Sequence, residues 1–306
     1  MNAVDPAWYA PESAWWAKMR RAARHIREVR EQATEFEDSN PWSVESSVGP
    51  APNESTYLLR VSRPVPSDLI TAIGDAIHNM RSALDAVAYE FAHMNLGTLN
   101  PTQEKIVQFP IVPDGGRFDK FLRYSEKDAS GVKVARRDLY SDDQVLAFRC
   151  VQSFAFAEEA AALGIEFDRH PDIDYRHHML NRLHSLSVID KHRRLPILAW
   201  FPDIVYWQGE PQEVQEAYEW RPAHHTPTSF LDGVVLGRFV NPEGEAPPSS
   251  KLTHAMKLTF GDDPSGPNDG FAESLGSWYD SLVNWILPRM FVTAAGNTPP
   301  VGFFNG

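Results

Sequence analysis

Apolar residues recur at intervals of three and four along five segments of the chain, and this spacing predicts five amphipathic helices. In the first segment the apolar stripe consists of Trp15, Met19, Ala22, Ile26, Val29 and Ala33. A helix-forming core is therefore expected at about residues 12–38, 67–95, 141–157, 172–190 and 271–292.

Alternating apolar and polar positions predict β elements at about residues 42–63 and 227–261, and a run that is apolar on both sides and rich in aromatics predicts one at about residues 195–207. Residues 49–53 read Gly-Pro-Ala-Pro-Asn, a turn-forming run that predicts a hairpin within the first of these regions. The charged stretch 125–138 has no such periodicity, and a loop is expected there. Helices and strands do not follow a βαβ order, so the prediction is an α+β fold: a mainly helical bundle with a small antiparallel sheet, in a single domain over residues 1–306.

Charge limits the classes of partner that the chain can bind. The 306 residues carry a net charge of -12, which disfavours broad association with nucleic acids. The predicted first helix departs from this acidic balance, since its polar faces carry Arg20, Arg21, Arg24, Arg27 and Arg30. Two interpretations stay open for these arginines: a solvated basic face, or a face that contacts RNA.

The cysteine content and the hydropathy of the chain indicate where in the cell the protein is located. The single cysteine, Cys150, excludes an intramolecular disulfide and a multi-cysteine zinc site, and it lies in an apolar-periodic segment typical of a buried structural thiol. No signal peptide is visible, and no apolar run approaches the roughly 18 residues of a membrane span. We expect a cytoplasmic protein with no membrane association.

The predicted helix 67–95 carries a first polar cluster inside its apolar pattern. His78, Ser82, Asp85 and Tyr89 are spaced by four, three and four residues and share one helix face, flanked by Asn79 and Arg81. One hypothesis is a structural network that tethers this helix to its neighbours. The other is a site, with catalytic His78, Arg81 and Asp85, and with Asn79, Ser82 and Tyr89 in binding.

A second polar cluster, residues 190–194, follows the predicted helix 172–190. Cations at a helix C-terminus can simply pair with the helix dipole. As a functional cluster, His192 and Arg193 would hold a phosphate in catalysis, and Asp190 and Lys191 would contribute to binding.

Metal and cofactor chemistry find little support in the motifs. His177 and His184 lie at a spacing that permits zinc ligation, yet no His-Glu-x-x-His pattern or cysteine ligand accompanies them. Phosphate-binding glycine loops, the dinucleotide-binding glycine turn and the nucleophile elbow are also missing from the sequence. We therefore predict no metal and no cofactor.

The two polar clusters together resemble a group of uncharacterised bacterial proteins. These share an Ile-His-Asn-x-Arg-Ser-Ala-Leu-Asp helix (here 77–85), a Phe-Pro-Ile segment (here 109–111) and a later Asp-Lys-His-Arg (here 190–193). The similarity covers roughly residues 12–290 and implies no established activity.

The chain also resembles HEPN domains, the helical modules of nucleases, toxins and defence systems. HEPN nucleases use an Arg followed by His after four to six residues. Ala86 stands here where related proteins carry the His that would complete this spacing from Arg81, whereas Arg20 and His25 match it. In such a nuclease, His would act as general base toward a ribose 2′-OH and Arg would stabilise the phosphorane charge.

Three functions follow as hypotheses. The first is a HEPN-like binding or defence-associated module with little or no catalysis. The second is a phosphate-directed enzyme, in particular a metal-independent RNase. The third is a metal-dependent hydrolase that uses His177, His184 and Asp190. RNA or another phosphate-containing ligand is the expected partner, and a homo-oligomer is a further expectation. The apolar tail 301–304 would dock either on the chain's own core or on a partner.

Overall fold

A computed structural model describes residues 12–162, 178–192, 197–200, 206–207, 219–222, 228–229, 231–241, 252–253, 257–260 and 271–297. The helices are α1 (Ala14–Asp38), α2 (Ser67–Leu96), α3 (Pro101–Ile106), α4 (Gly115–Arg123), α5 (Asp142–Arg149), α6 (Ser153–Ala162), α7 (Met179–His192), α8 (Phe271–Ser281) and α9 (Leu287–Ala294). The strands are β1 (Trp42–Val48), β2 (Glu54–Val61), β3 (Ser125–Lys127), β4 (Lys133–Ala135), β5 (Ile197–Trp200), β6 (Tyr206–Trp207), β7 (Glu219–Pro222), β8 (Thr228–Ser229), β9 (Val235–Val240), β10 (Leu252–Thr253) and β11 (Lys257–Phe260).

The architecture is α+β, mostly helical with small antiparallel sheets, as the hydrophobic pattern predicts. The chain separates into two compact units. The first comprises residues 1–26, 73–192 and 275–306, and the second comprises residues 27–72 and 193–274. These two compact units are compatible with one domain and with two. The single domain expected from the sequence therefore stays a prediction.

The second unit contains a four-stranded sheet in the order β1-β2-β9-β7, with every neighbouring pair antiparallel. β1 and β2 form the predicted hairpin, in register from Trp42 opposite Val61 to Val48 opposite Ser55. Tyr57 and Phe239 are buried and their rings meet edge to face, with centroids 5.4 Å apart. This aromatic pair ties β2 to β9.

The first unit is organised around buried aromatic rings. The ring of Phe148 on α5 lies within 5.6 Å of the ring of Phe91 on α2 and of the ring of Phe109 between α3 and α4. Phe91 also meets Phe291 of α9, which in turn contacts Trp15 of α1. This core holds α1, α2, α5 and α9 around one extended segment.

An acid on α2 caps α1. The first turn of α1 contains no acidic residue. The half-buried Glu90 carboxylate accepts hydrogen bonds from the Ala14 backbone N–H and the Trp15 side chain. Burial raises the pKa of Glu90, and the two hydrogen bonds lower it in part. One N–H group of the helix start thus obtains a partner from a neighbouring helix, and another, that of Trp16, donates to Ser13 Oγ at 3.4 Å.

Two expectations from the pattern are corrected. The predicted loop 125–138 contains the β3–β4 hairpin and a short 3-10 helix, Arg136–Leu139. The hairpin turn is closed by Asp128, whose Oδ1 accepts from the Ser130 and Val132 N–H groups. Because these bonds come from a polar side chain, the sequence of the turn shows no alternation of apolar and polar residues. The predicted helix 141–157 is divided into α5 and α6, because the Gln152 side chain bonds to the Phe148 carbonyl at the break.

The last predicted helix, 271–292, contains one turn of π-helix between α8 and α9, Leu282–Ile286. There the Leu287 N–H donates to the Leu282 carbonyl, five residues back. Pro288 follows and has no N–H to offer its own turn. The proline therefore coincides with a local widening of the helix, which continues to Ala294.

Candidate functional site

An ion pair on α2 holds one residue of the core by its backbone. Arg81 donates from one terminal nitrogen to Asp85 Oδ1 at 2.9 Å and from the other to the Phe109 carbonyl at 3.0 Å. The same Asp85 oxygen accepts from the Phe109 N–H at 3.0 Å. Both backbone groups of Phe109 are thus bound by two side chains one helical turn apart, an arrangement we call the Phe109 clamp.

The segment continues into a second set of side-chain bonds. Gln152 is 1% exposed, donates to the Pro110 carbonyl at 3.0 Å and accepts from the Val112 N–H at 3.1 Å. Residues 109–112 thereby obtain from side chains the hydrogen bonds that a neighbouring strand supplies in a sheet. The Phe-Pro-Ile motif and the Arg and Asp of the α2 motif are in direct contact.

Arg81 has little capacity left for a ligand. It is 6% exposed, and burial lowers its pKa, which the neighbouring Asp85 carboxylate raises in part. Both terminal nitrogens already have acceptors. In this arrangement the guanidinium stabilises the fold and does not face solvent.

The rest of the predicted face of α2 is more accessible. His78 is exposed, and Asn79 donates to the Asp75 carbonyl one turn before it. Ser82 Oγ accepts from Lys18 Nζ of α1 at 2.9 Å, which joins the two helices. Tyr89 is 41% exposed and its ring is parallel to that of His93 one turn later. His78 is therefore exposed on α2, whereas Arg81, three residues later, is buried.

The second polar cluster approaches α2 at Gly74, one turn before His78. Asp190 of α7 lies against this glycine so closely that an added Cβ would be 2.7 Å from Asp190 Oδ1. Gly74, His78 and Ser82 follow one another at intervals of four and share a face of α2. Asp190 therefore lies on the face of α2 that carries His78, and a side chain at position 74 would displace the end of that carboxylate.

The remaining predicted residues of the second cluster have no described side chains. Lys191 and His192 are the last residues of α7, and their backbone alone is described. Arg193, and with it His177 of the metal hypothesis, lies outside the described residues. Within the described ranges, no three His, Cys, Asp or Glu side chains gather as a metal site would require.

The cysteine is buried, as its apolar neighbours predict. Cys150 is 7% exposed, and its Sγ lies 3.3 Å from the Ala147 carbonyl. Burial raises the pKa of the thiol, so it stays protonated near neutral pH and is a poor nucleophile.

The arginines of α1 form an exposed basic face. Arg24 lies opposite the buried stripe of α1, with Arg21 and Arg27 one turn to either side, and all three are exposed. In the described part of the chain, these three side chains make no hydrogen bond or ion pair. We call them the arginine face.

Helix stability does not explain the arginine face. Cations stabilise the end of a helix and anions its beginning. In α1 the order is reversed: no basic residue lies in the last turn, and its exposed acids Glu35 and Glu37 lie there instead. A basic first half and an acidic second half thus oppose the helix dipole.

Two functional contributors escape an inspection of polar clusters: the backbone of Phe109 and the side chain of Gln152. A cluster search looks for polar side chains and misses a main-chain partner. The available signal was the Phe-Pro-Ile segment itself, since a proline-containing extended run needs outside donors and acceptors.

Among the described residues, no helix combines the length and the apolarity that crossing a membrane requires. Compared with protein-family models, curated proteins and solved structures, the chain matches none of them.

Proposed function

We propose that the chain is a HEPN-like, defence-associated binding module that binds RNA through the arginine face and does not cleave it. The observation that carries the proposal is the arginine face: three exposed guanidinium groups with no described partner in a chain of net charge -12. The helix-rich first unit and the shared motifs support the HEPN-like character. The single buried Cys150 is in keeping with a reducing cytoplasm.

The arginine face presents a row of cations to a nucleic-acid backbone. Arg21, Arg24 and Arg27 follow one another every three residues, which is about 4.5 Å along the helix axis. Guanidinium groups bind phosphate oxygens in pairs of hydrogen bonds, and each phosphate that is neutralised releases a counterion. An acidic protein repels polyanions elsewhere on its surface, so a local basic face would also orient the ligand.

The Phe109 clamp supports binding without cleavage. RNase chemistry of the HEPN kind needs an Arg that reaches the phosphorane. Arg81 is buried and bound to Asp85 and Phe109, whereas His78 is exposed without it. Ala86 also removes the histidine that would follow at the expected spacing.

Binding is tested by fluorescence anisotropy with a labelled single-stranded RNA of about 20 nucleotides at several salt concentrations. Three phosphate contacts predict a log–log salt slope of about -2. Changing Arg21, Arg24 and Arg27 to Gln should weaken binding at least about tenfold and flatten that slope.

The matched control removes the same number of positive charges from another surface. Arg117, Lys120 and Arg123 are exposed on α4, and their triple change to Gln also lowers the net charge by three. RNA binding should survive this change. Equal loss in both triple variants would refute the arginine face as the binding surface, since it would show an effect of net charge alone.

A phosphate-directed enzyme is the second candidate, and the approach of Asp190 to Gly74 favours it. That contact brings the end of α7 to the helix face of His78. Incubation of the RNA with wild type, His78→Ala and His192→Ala distinguishes the two functions. Intact RNA in all samples supports the binding module, and cleavage by wild type that either variant abolishes supports the enzyme.

A further inference from the structure

One buried arginine of the first unit has no acceptor. Arg182 of α7 is 5% exposed, and its Nε is fully buried without a hydrogen-bond partner. In the described part of the chain its side chain makes no hydrogen bond and no ion pair. Its one described contact is with the ring of Trp278 on α8, whose centroid lies 5.5 Å from the guanidinium carbon.

The other buried arginines differ from Arg182 in this respect. Arg81 binds Asp85 and a carbonyl, and Arg136 donates to the carbonyls of Ile106 and Phe121. Arg289 pairs with Glu159 at 2.8 Å. Because a guanidinium stays charged at any pH that the protein experiences, burial without an anion is strongly unfavourable. Arg182 is as buried as these structural arginines, but it lacks the hydrogen-bond acceptor that each of them has.

The geometry points to an external partner. The Trp278 ring covers the guanidinium at one side and is itself 6% exposed. Only Nε is completely enclosed, so the two terminal nitrogens are the part of the group that a ligand can reach. Two parallel N–H groups on one edge match the two oxygens of a carboxylate or a phosphate.

We propose that Arg182, supported by Trp278, is a binding site for one small oxyanion, a phosphate or a carboxylate group. The bound anion would neutralise the buried charge and join α7 to α8 through the guanidinium. This site is separate from the arginine face, which is on α1, so either proposal can fail without the other.

The test measures the thermal midpoint of the full chain in chloride, with added sodium phosphate or sodium acetate at matched ionic strength. A ligand that binds the folded state raises the midpoint with the logarithm of its concentration. Wild type should show that rise with at least one of the two anions. Arg182→Met should lose the rise, and Arg182→Lys should bind at least about tenfold more weakly because it cannot form the paired contact.

Two controls separate this effect from general salt stabilisation, which acts on any folded protein. Arg117→Met removes an exposed arginine and should respond as wild type does. Arg24→Gln alters the arginine face and should also respond normally. A direct readout is the Nε–H signal of Arg182 in a ¹⁵N correlation spectrum, assigned by its loss in Arg182→Met, which should move on titration.

The outcomes are decisive in both directions. A rise with phosphate alone identifies a phosphate ligand, and a rise with acetate alone identifies a carboxylate ligand. Equal responses of wild type and Arg182→Met to both anions, or an Nε–H signal that stays in place, would overturn the proposal.

Discussion

Replacing Arg81 by Met should destabilise the fold by about 1–4 kcal/mol. Met keeps the apolar volume of the arginine stem, so the change removes mainly the polar contacts. The buried Phe109 carbonyl loses its donor, which costs about 1–3 kcal/mol. Asp85 loses its counter-charge, but its side chain is 41% exposed and water replaces much of that interaction, so this loss is at most about 1 kcal/mol.

Substitution of Asp85, the other side chain of the Phe109 clamp, should lower the stability of the fold about as much. Asp85→Ala leaves the buried Phe109 N–H without an acceptor, which costs about 1–3 kcal/mol, and removes the anion of Arg81, whose loss adds at most about 1 kcal/mol because the Asp85 side chain is 41% exposed. Because Arg81 and Asp85 act on the same residue, the double variant should be more stable than the sum of the two losses predicts.

Urea denaturation followed by circular dichroism measures these free energies. Arg117→Met is the control, since its ion pair with Asp114 is exposed on both sides and should contribute less than about 0.5 kcal/mol. A loss in Arg81→Met no larger than in this control would refute the clamp as a stabilising element. Additive losses at Arg81 and Asp85 would show that the two side chains do not act on Phe109 together.

Two further predictions concern the first unit. Burial lowers the pKa of His178 to about 4, so its contribution to stability is complete above its usual pKa of 6.5 and is lost as the pH falls through 4. Urea titrations at pH 7 and pH 4 should show a difference of up to about 3 kcal/mol that His178→Gln lacks, and an equal pH dependence in the variant would exclude this cause. Gly74→Ala places a methyl group against the Asp190 carboxylate, whose flexible end can move aside, while alanine gains about 1 kcal/mol of helix propensity over glycine. The change should therefore stabilise an Asp190→Ala background more than it stabilises wild type, and an equal effect in both backgrounds would contradict the contact.

The periodicity of the chain predicts its helices well because their buried faces are long. In α1 the stripe from Trp15 to Ala33 is buried as its spacing requires. The hairpin at residues 125–135 could not be found this way, since its turn depends on the Asp128 side chain and its strands are three residues long. Short strands of this kind provide too few positions for alternation to be recognised.

The sequence predicts which polar residues share a face of α2, and it predicts less well what their side chains bind. The spacing from His78 to Tyr89 identifies a polar face on α2, but Arg81 turns away from it toward Phe109. Whether an arginine on the flank of a helix enters the core depends on which segment packs there, and that is a property of the tertiary structure. The approach of Asp190 to Gly74 likewise depends on the packing of two helices more than a hundred residues apart.

Side-chain hydrogen bonds make residues 109–112 dependent on three particular amino acids. A strand that pairs with another strand is held by main-chain groups, which no substitution removes. Here Arg81, Asp85 and Gln152 supply the bonds, so a single codon change can release the segment. Selection should therefore act on the three side chains as a set. In hydrogen exchange, the amides of Phe109 and Val112 should open whenever α2 or the start of α6 moves away.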